Sequence, residues 1–203
     1  MKRTGSYGEN KNLSKLDLIG QYLSGRSISK ALKSTTRKES LGDIGSGFNG
    51  NVTQPYWSLF GQIHLFDMSL NSEGSKFLEK KVVCHEGDVN QTTSTFKGKL
   101  DFLVMNNLLE HIDEPVDLLS QVKNIMSEGG ILYINVPSWR GKFFLEFAAF
   151  RFNLAPREEM EDHKRYYSKR DLWIEIRKAG FLPSRIKIKN NKFGLNVCAL
   201  VRK

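Results

Sequence analysis

The chain has 203 residues, of which 39% are hydrophobic and 26% charged, so it is long enough to bury one full core. No apolar run approaches the roughly 20 residues that a membrane-spanning helix needs, and the polar N-terminus lacks the apolar stretch of a signal peptide. The two cysteines, Cys84 and Cys198, exclude a disulfide framework and have no metal-ligand spacing. We therefore expect a single cytoplasmic domain over residues 1–203, with no metal site.

The formal net charge of +9 is compatible with three kinds of partner: nucleic acid, an anionic membrane surface or an acidic small molecule. The basic residues are scattered, except at the N-terminus, at residues 164–165 and 169–170, and in the tail from Arg185. Because a scattered distribution is typical of a solvated surface, the charge alone does not identify a partner.

Short apolar runs alternate with helical patterns, which predicts a Rossmann-like, doubly wound α/β fold with a mostly parallel sheet of seven strands. A helix that Gly25 could break is predicted at residues 13–32, inside an N-terminal helical extension of residues 1–37. The last two strands have no room for a crossover helix between them, so we expect an antiparallel hairpin. The predicted strands are 40–44, 62–66, 81–85, 101–106, 130–136, 185–189 and 195–202, and the later helices are 50–60, 72–79, 116–126 and 169–179.

A glycine-rich segment follows the first predicted strand. Gly45, Gly47 and Gly50 have the GxGxxG spacing, and Asp43 precedes them. Glycines allow a tight turn and a close approach of the backbone to a ligand, and a helix after the turn would aim free N–H groups at that ligand. Glycine-rich turns also occur where nothing binds, so the assignment depends on polar groups further along the chain.

Such polar groups follow the next three predicted strands. Ligands of open α/β sheets bind beyond the carboxyl ends of the strands. Asp67 ends the second strand and can accept two hydrogen bonds from a ribose diol. Asp88 follows the third strand and can accept from an exocyclic amine. The fourth strand runs into Asn106 and then into the segment Leu109-Glu110-His111-Ile112.

In this order and spacing, the motifs resemble those of class I S-adenosylmethionine-dependent methyltransferases, especially the small-molecule branch (methyltransferase type 11/23-like). The resemblance covers about residues 38–202. It is completed by Glu128-Gly129-Gly130, by Ala179-Gly180-Phe181 and by the terminal hairpin. Each motif is weak alone, and their conjunction is specific.

The resemblance implies a role for each matching residue. Gly45, Ser46 and Gly47 would lie against the methionine part of S-adenosylmethionine, with Asp43 shaping this loop. The Asn106 carbonyl would face the methionine ammonium group.

Four further residues would hold the nucleoside part of the cofactor. Asp67 would bind the ribose hydroxyls and Met68 would pack on the adenine. Asp88 would accept from the adenine amino group, with the Val89 backbone alongside. Phe48-Asn49 departs from the small residues common at this place in the family.

Three other functions compete with this interpretation. A dinucleotide-binding oxidoreductase shares the glycine spacing, but Asp43 is charged where the nicotinamide fingerprint usually has an apolar residue. A nucleic-acid methyltransferase would use the basic charge, yet the segment 106–109 lacks the Asn/Asp-Pro-Pro-Tyr/Phe motif of enzymes that methylate exocyclic amines of DNA. The third alternative is a methyltransferase-like binding module without catalysis.

Residues 137–168 form a predicted insertion over the acceptor site. Its phenylalanines, among them Phe143 and Phe147, would form a lid, an apolar roof over the acceptor, or a surface that touches a lipid carrier. Lys142 and Arg151 in the same segment would suit anionic headgroups, so peripheral membrane contact stays open.

The end of the insertion gathers an imidazole, two phenols and cations. His163 is a candidate base, oriented by Asp162, or else a structural loop histidine. Arg165, Tyr166 and Tyr167 are candidate substrate ligands. His111 would either lie near the transferred methyl group or hold the loop that follows the fourth strand. We therefore predict methyl transfer, most plausibly to oxygen, on a small-molecule or lipid-linked glycan acceptor. The oligomeric state is left open.

Overall fold

A seven-stranded sheet forms the centre of the structure, a computed structural model that describes residues 15–71, 82–143 and 164–203. The strands are β1 (Ser40–Ile44), β2 (Gln62–Asp67), β3 (Val82–Glu86), β4 (Leu100–Asn106), β5 (Met126–Pro137), β6 (Ile186–Asn191) and β7 (Asn196–Arg202). Their spatial order is β3-β2-β1-β4-β5-β7-β6. The first five in this order are parallel, and β7 pairs antiparallel with β5 and with β6. The predicted parallel sheet and its terminal hairpin are therefore confirmed.

Helices cover both faces of the sheet. They are α1 (Lys15–Leu32), α2 (Val89–Thr95), α3 (Pro115–Ile125) and α4 (Lys169–Lys178). The α4 helix begins at a capping box, in which the side chains of Ser168 and Asp171 each accept from the other residue's backbone N–H. The α1 helix continues through Gly25 without a break. The Tyr56 hydroxyl donates to the Gly25 carbonyl at 2.7 Å. The helix predicted at 72–79 lies outside the described residues.

One predicted helix is wrong, and one observed helix was not predicted. The segment 50–60 is not an α-helix: it consists of turns followed by the 3₁₀-helix Gln54–Leu59. Gly50 is left-handed, with φ +60°, and Pro55 has no backbone N–H, so a regular α-helix cannot run through this segment. The α2 helix was not predicted because its sequence, VNQTTST, is almost entirely polar and lacks apolar periodicity.

The central strand β4 supplies side chains to two hydrophobic clusters, one on each face of the sheet. Leu103 and Met105 pack with α3 and α4, whereas Phe102 and Val104 pack with α1. This alternation explains why β4 reads as a continuous apolar run. Cys84 lies half-buried on β3, and Cys198 lies buried on β7.

The topology locates the crevice of the fold. β1 and β4 are neighbours, and the chain continues from β1 towards β2 and β3 but from β4 towards β5. The strand order therefore reverses between β1 and β4, and ligands of such sheets bind beyond the carboxyl ends of the strands at that point.

Candidate functional site

The glycine loop after β1 is held by the neighbouring strand β2. Gly45 and Gly47 have φ values of +73° and +71°, in the region that favours glycine. The Gly45 N–H donates to the Phe66 carbonyl at 2.8 Å, and the Gly47 N–H donates to Asp67 Oδ2 at 2.7 Å. Ser46 is buried, and its hydroxyl donates to the Gly47 carbonyl at 3.0 Å. The loop thus lies directly against Asp67.

Asp43 lies below this loop, inside β1, and only 2% of its surface is exposed. The Thr53 hydroxyl donates to Asp43 Oδ2 at 2.6 Å, and the Trp57 indole N–H donates to Thr53 Oγ1 at 3.2 Å. Burial is the largest cause that raises the pKa of Asp43 to about 7. Asp43 therefore anchors the segment after the loop from beneath. Thr53 carries no sequence signal for this role, since it stands ten residues away in a region of turns.

The close packing of Gly45 leads to a prediction. A Cβ added to Gly45 would lie 2.8 Å from Leu108 Cδ1, so this glycine is needed both for its backbone angle and for the approach of Leu108. Gly129 has a similar φ of +75° but nothing within 4 Å of an added Cβ. We expect Gly129→Ala to cost about 1 kcal/mol of unfolding free energy and Gly45→Ala roughly 2–4 kcal/mol, measured by urea denaturation. Equal losses of unfolding free energy in the two variants would show that the Leu108 side chain moves aside at no energetic cost.

The other predicted nucleoside-binding residues lie at the carboxyl ends of β2 and β3. The Asp67 carboxylate is half-buried and also accepts from the Met68 N–H at 2.8 Å, while the Met68 side chain is 45% exposed. Asp88 is exposed and caps α2 by accepting from the Asn90 N–H at 2.8 Å. Val89 is buried in the core beside it. Apart from buried Val89, the side chains at these two strand ends are available at the surface of the crevice.

An asparagine cluster joins the ends of the four strands β4 to β7. Asn135 is fully buried, and its amide donates to Asn106 Oδ1 and to Asn107 Oδ1, both at 3.1 Å. The Asn191 amide donates to Asn135 Oδ1 at 3.1 Å, and the Asn196 amide donates to Asn107 Oδ1 at 3.3 Å. Asn107 itself is exposed and has a φ of +54°. The cluster places neutral donors and acceptors beside the crevice, and sequence analysis did not bring these residues together.

A buried carboxylate and a half-buried lysine lie at the same edge. Glu110 is fully buried, and among the described residues neither of its carboxylate oxygens has a hydrogen-bond partner. Burial raises the pKa of Glu110 to about 8, against the opposing charge of Lys192. Burial also lowers the pKa of Lys192 to about 8. Lys192 lies in the turn between β6 and β7 with a φ of +47°. Sequence analysis noted Glu110 only as part of the motif 109–112.

The predicted catalytic and acceptor-side residues have different surroundings. His111 is half-buried in the 3₁₀-helix Leu109–His111. Tyr167 is 1% exposed, and its hydroxyl donates to the Leu109 carbonyl at 3.5 Å, so its position gives no support to an acceptor-facing role. Arg165 donates to Glu175 Oε1 at 3.3 Å and to the Asp113 carbonyl at 3.0 Å, which ties it to the protein. Tyr166 is half-buried beside Trp139, with ring centroids 5.7 Å apart.

His163, Asp162, Arg151 and most of the phenylalanines of the insertion lie outside the described residues.

The described ranges contain neither a cluster suited to a metal ion nor a helix suited to span a membrane. Among residues 15–71, 82–143 and 164–203, no group of three or more His, Cys, Asp and Glu side chains could hold a metal ion. No helix in the same ranges has the length and apolarity required to cross a bilayer.

Solved structures of known proteins share this fold. A methyltransferase from Archaeoglobus fulgidus, described as dependent on S-adenosylmethionine, superposes with a TM-score of 0.64 at 16% identity, over 90% of this chain and 94% of that chain. The magnesium protoporphyrin IX methyltransferase of Synechocystis, solved with bound S-adenosylhomocysteine, has a TM-score of 0.64 at 12% identity, over 96% of this chain and 90% of that chain. A Nostoc punctiforme protein proposed to be an O-methyltransferase has a TM-score of 0.59 at 14% identity, over 93% of this chain, which spans only 58% of its length.

Sequence comparison identifies the family. No curated protein matches the chain. Residues 18–182, which are most of the chain, match the model of the methyltransferase domain family. This match includes the glycine loop, Asp67, Asp88 and the end of β4, the same segments that surround the crevice. The chain therefore belongs to the methyltransferase domain family and is a class I enzyme that uses S-adenosylmethionine as its methyl donor.

Proposed function

We propose that this methyltransferase acts on a hydroxyl group of a small-molecule or lipid-linked glycan acceptor. The observation that carries the proposal is the asparagine cluster (Asn106, Asn107, Asn135, Asn191 and Asn196), which begins at the end of β4, the strand that pairs with β1. Amide groups both donate and accept hydrogen bonds, as hydroxyl groups do, and they carry no charge. A neutral polar wall of this kind suits an acceptor rich in hydroxyl groups better than it suits a phosphate backbone.

The residues around the crevice fit S-adenosylmethionine. Gly47 has no side chain at the point where its backbone meets Asp67, and the exposed Met68 offers an apolar surface one residue further. We assign the methionine part to Gly45, Ser46, Gly47 and the Asn106 carbonyl, with Asp43 positioning the loop. When bound, the cofactor supplies an electrophilic methyl carbon.

The nucleoside part is assigned to the ends of β2 and β3. Asp67 would accept from the ribose hydroxyls and Met68 would pack on the adenine. Asp88 has a second carboxylate oxygen besides the one that caps α2, and this oxygen is the proposed acceptor for the adenine amino group, next to the Val89 backbone. All of these residues are contributed by the ends of neighbouring strands, so they can act together without rearrangement of the sheet.

An oxygen acceptor has to lose its proton, and the chain offers three candidate bases. His111 and His163 stay candidates from the sequence. Lys192 is the candidate that the geometry favours, because burial lowers its pKa to about 8 and the turn holds it beside the asparagine cluster. Neutral Lys192 would take the hydroxyl proton, and the Glu110 carboxylate would stabilise the resulting ammonium group or take the proton from it.

Binding and transfer are tested in sequence. Calorimetry with S-adenosylmethionine and S-adenosylhomocysteine should give micromolar dissociation constants. Transfer of a labelled methyl group should then be measured on a panel of hydroxylated sugars, lipid-linked glycans, catechols and RNA. Methylation of RNA alone would contradict the proposed acceptor class, and absence of cofactor binding at millimolar concentration would contradict the site.

The role of Lys192 gives a separate prediction. We expect Lys192→Met to lower kcat at pH 7.5 by roughly 100-fold, since a positioned base contributes on the order of that factor or more, with the affinity for S-adenosylhomocysteine unchanged. Wild-type kcat should rise as the pH passes through about 8 and level off above that value, because the lysine acts only when it is deprotonated. Lys189→Met, on the exposed side of β6, is the matched control. Equal kcat values in both variants would exclude Lys192 as the base.

A further inference from the structure

Three large aromatic side chains are exposed at the carboxyl edge of the sheet. Trp139 is 51% exposed, Phe143 is 68% exposed and Phe193 is 90% exposed. Phe193 is the most exposed large apolar side chain of the described residues. Single exposed apolar residues are ordinary, but a group of aromatics in one place indicates a surface that meets another phase or molecule.

Backbone contacts bring these aromatics together. The Ser138 hydroxyl donates to the Gly194 carbonyl at 2.7 Å, and the Ser138 N–H donates to the Leu195 carbonyl at 2.9 Å. A Cβ added to Gly141 would overlap the Leu195 carbonyl, so the two backbones are in direct contact. The helical turn at residues 139–143 therefore lies beside the turn that carries Phe193.

The conformation of that turn directs Phe193 outwards. Phe193 has a φ of +58° and follows Lys192, which also has a positive φ. Such angles are unfavourable for residues with a Cβ and persist only where the surrounding structure enforces them. The turn is held by Asn191 Oδ1, which accepts from the Lys192 N–H at 2.9 Å, and by the contacts of Ser138. A strained turn that presents a phenylalanine to solvent is unexplained by packing inside the protein.

Basic side chains surround the aromatics. A Cβ added to Gly194 would lie 3.4 Å from a guanidinium nitrogen of Arg140, so Arg140 lies along the turn of Phe193. Lys142 Nζ lies 5.7 Å from the centroid of the Trp139 ring. The segments 138–143 and 191–196 contain no Asp or Glu. We call Trp139, Arg140, Lys142, Phe143 and Phe193 the aromatic–basic patch.

We propose that the aromatic–basic patch docks on an anionic lipid bilayer. Trp139, Phe143 and Phe193 would enter the interfacial region, where aromatic side chains are favoured, and Arg140 and Lys142 would contact lipid phosphates. The charge complementarity selects an anionic surface. A bilayer is favoured over RNA because Phe193 is 90% exposed and protrudes from the tip of a turn, a shape that suits insertion into a lipid surface.

This inference rests on the proposed function and narrows its acceptor class. The patch lies at the carboxyl edge of β5 and at the β6–β7 turn, on the same side as the asparagine cluster. A docked enzyme would present its acceptor side to the bilayer. The acceptor would therefore be a hydroxylated molecule that is attached to, or dissolved in, the lipid surface.

Vesicle co-sedimentation of the full chain tests the docking. Vesicles of phosphatidylcholine alone are compared with vesicles that contain about 30% phosphatidylglycerol, a fraction chosen to give an anionic surface on the order of that of natural membranes. The wild type should partition onto the anionic vesicles, and less so at high salt. Phe193→Asn should lower the partition coefficient roughly tenfold, since it removes an inserted ring while asparagine tolerates the left-handed backbone. Arg140→Glu should abolish the preference for anionic lipid.

Two controls share the chemistry but not the location. Leu182 is 58% exposed and precedes β6 at the opposite edge of the sheet, and Lys178 is exposed at the end of α4. Leu182→Ser and Lys178→Glu should leave the partition within about twofold, because neither residue would contact the bilayer. Equal losses in the patch and control variants, or no binding of the wild type to either vesicle, would overturn the proposal. The proposal would also be overturned if the protein bound single-stranded RNA through the aromatic–basic patch and did not bind vesicles.

Failure of this inference can be told apart from failure of the proposed function. Calorimetric affinity for S-adenosylhomocysteine should be the same in the wild type and in Phe193→Asn. Vesicle binding that is lost while cofactor binding persists concerns the patch alone. If the wild type does not bind S-adenosylhomocysteine, the proposed function is contradicted, whatever the result with vesicles.

Discussion

Replacing Asp67 with alanine is expected to lower the affinity for S-adenosylhomocysteine at least about 100-fold. A carboxylate that accepts two hydrogen bonds from ribose hydroxyls contributes roughly 1.5–3 kcal/mol for each bond. Asp67 also accepts from the Gly47 N–H at 2.7 Å, so its removal releases the loop that we assign to the methionine part of the ligand. Both effects act in the same direction, and calorimetry measures their sum.

Two further variants separate binding from folding. Asp88→Ala should weaken cofactor binding by about tenfold, since one hydrogen bond to the adenine is lost, although α2 also loses its cap. Asp117→Ala, on the exposed face of α3, should leave the affinity for S-adenosylhomocysteine unchanged. Thermal melting of each variant reports the structural cost. If Asp67→Ala binds S-adenosylhomocysteine as tightly as Asp117→Ala does, the ribose assignment is wrong.

The second large effect concerns the pH dependence of stability and comes from Asp43. Burial raises the pKa of this carboxyl group from 3.8 to about 7. Between these two values the unfolded chain releases the proton while the folded protein keeps it, so the folded state loses relative stability as the pH rises. The stabilisation by neutral Asp43 is complete below pH 4 and is lost as the pH rises through about 7.

Asp43→Asn removes this titration while its Oδ1 can still accept from Thr53. We expect the unfolding free energy of the wild type, relative to that of Asp43→Asn, to fall on the order of 3 kcal/mol between pH 4 and pH 8, with most of the change below pH 7. Urea denaturation at several pH values measures this difference, and other titrating groups cancel because both proteins contain them. Asp117→Asn is the exposed control. Parallel curves for the wild type and Asp43→Asn would mean that Asp43 is ionised in the folded protein.

The glycine loop shows how far the sequence could be interpreted correctly and where it could not. The spacing of Gly45 and Gly47 predicted a turn that the structure contains, because only glycine adopts positive φ without steric cost. The α-helix predicted after the loop is wrong, since Gly50 and Pro55 interrupt it. The contact between Gly47 and Asp67 was not predicted as a hydrogen bond, because it depends on the register of β1 and β2.

The insertion illustrates a different limit. Tyr166 and Tyr167 are adjacent in the sequence, and both are predicted as candidate substrate ligands. In the structure Tyr167 is buried against the Leu109 carbonyl, whereas Tyr166 lies half-buried beside Trp139. Neighbouring residues in extended backbone point to opposite sides, so one of the pair enters the core and the other does not.

The sequence by itself determined the class of the fold and the identity of the methyl donor. Strand periodicity, short connections and residues placed directly after strands are local properties, and the parallel sheet follows from them. Only the tertiary structure decided which residues lie beside the proposed acceptor site. Four different strand ends contribute Asn107, Asn135, Asn191 and Asn196. Glu110 and Lys192 are likewise far apart in the sequence. Strand order and burial bring such residues together, and neither is encoded in their local neighbourhoods.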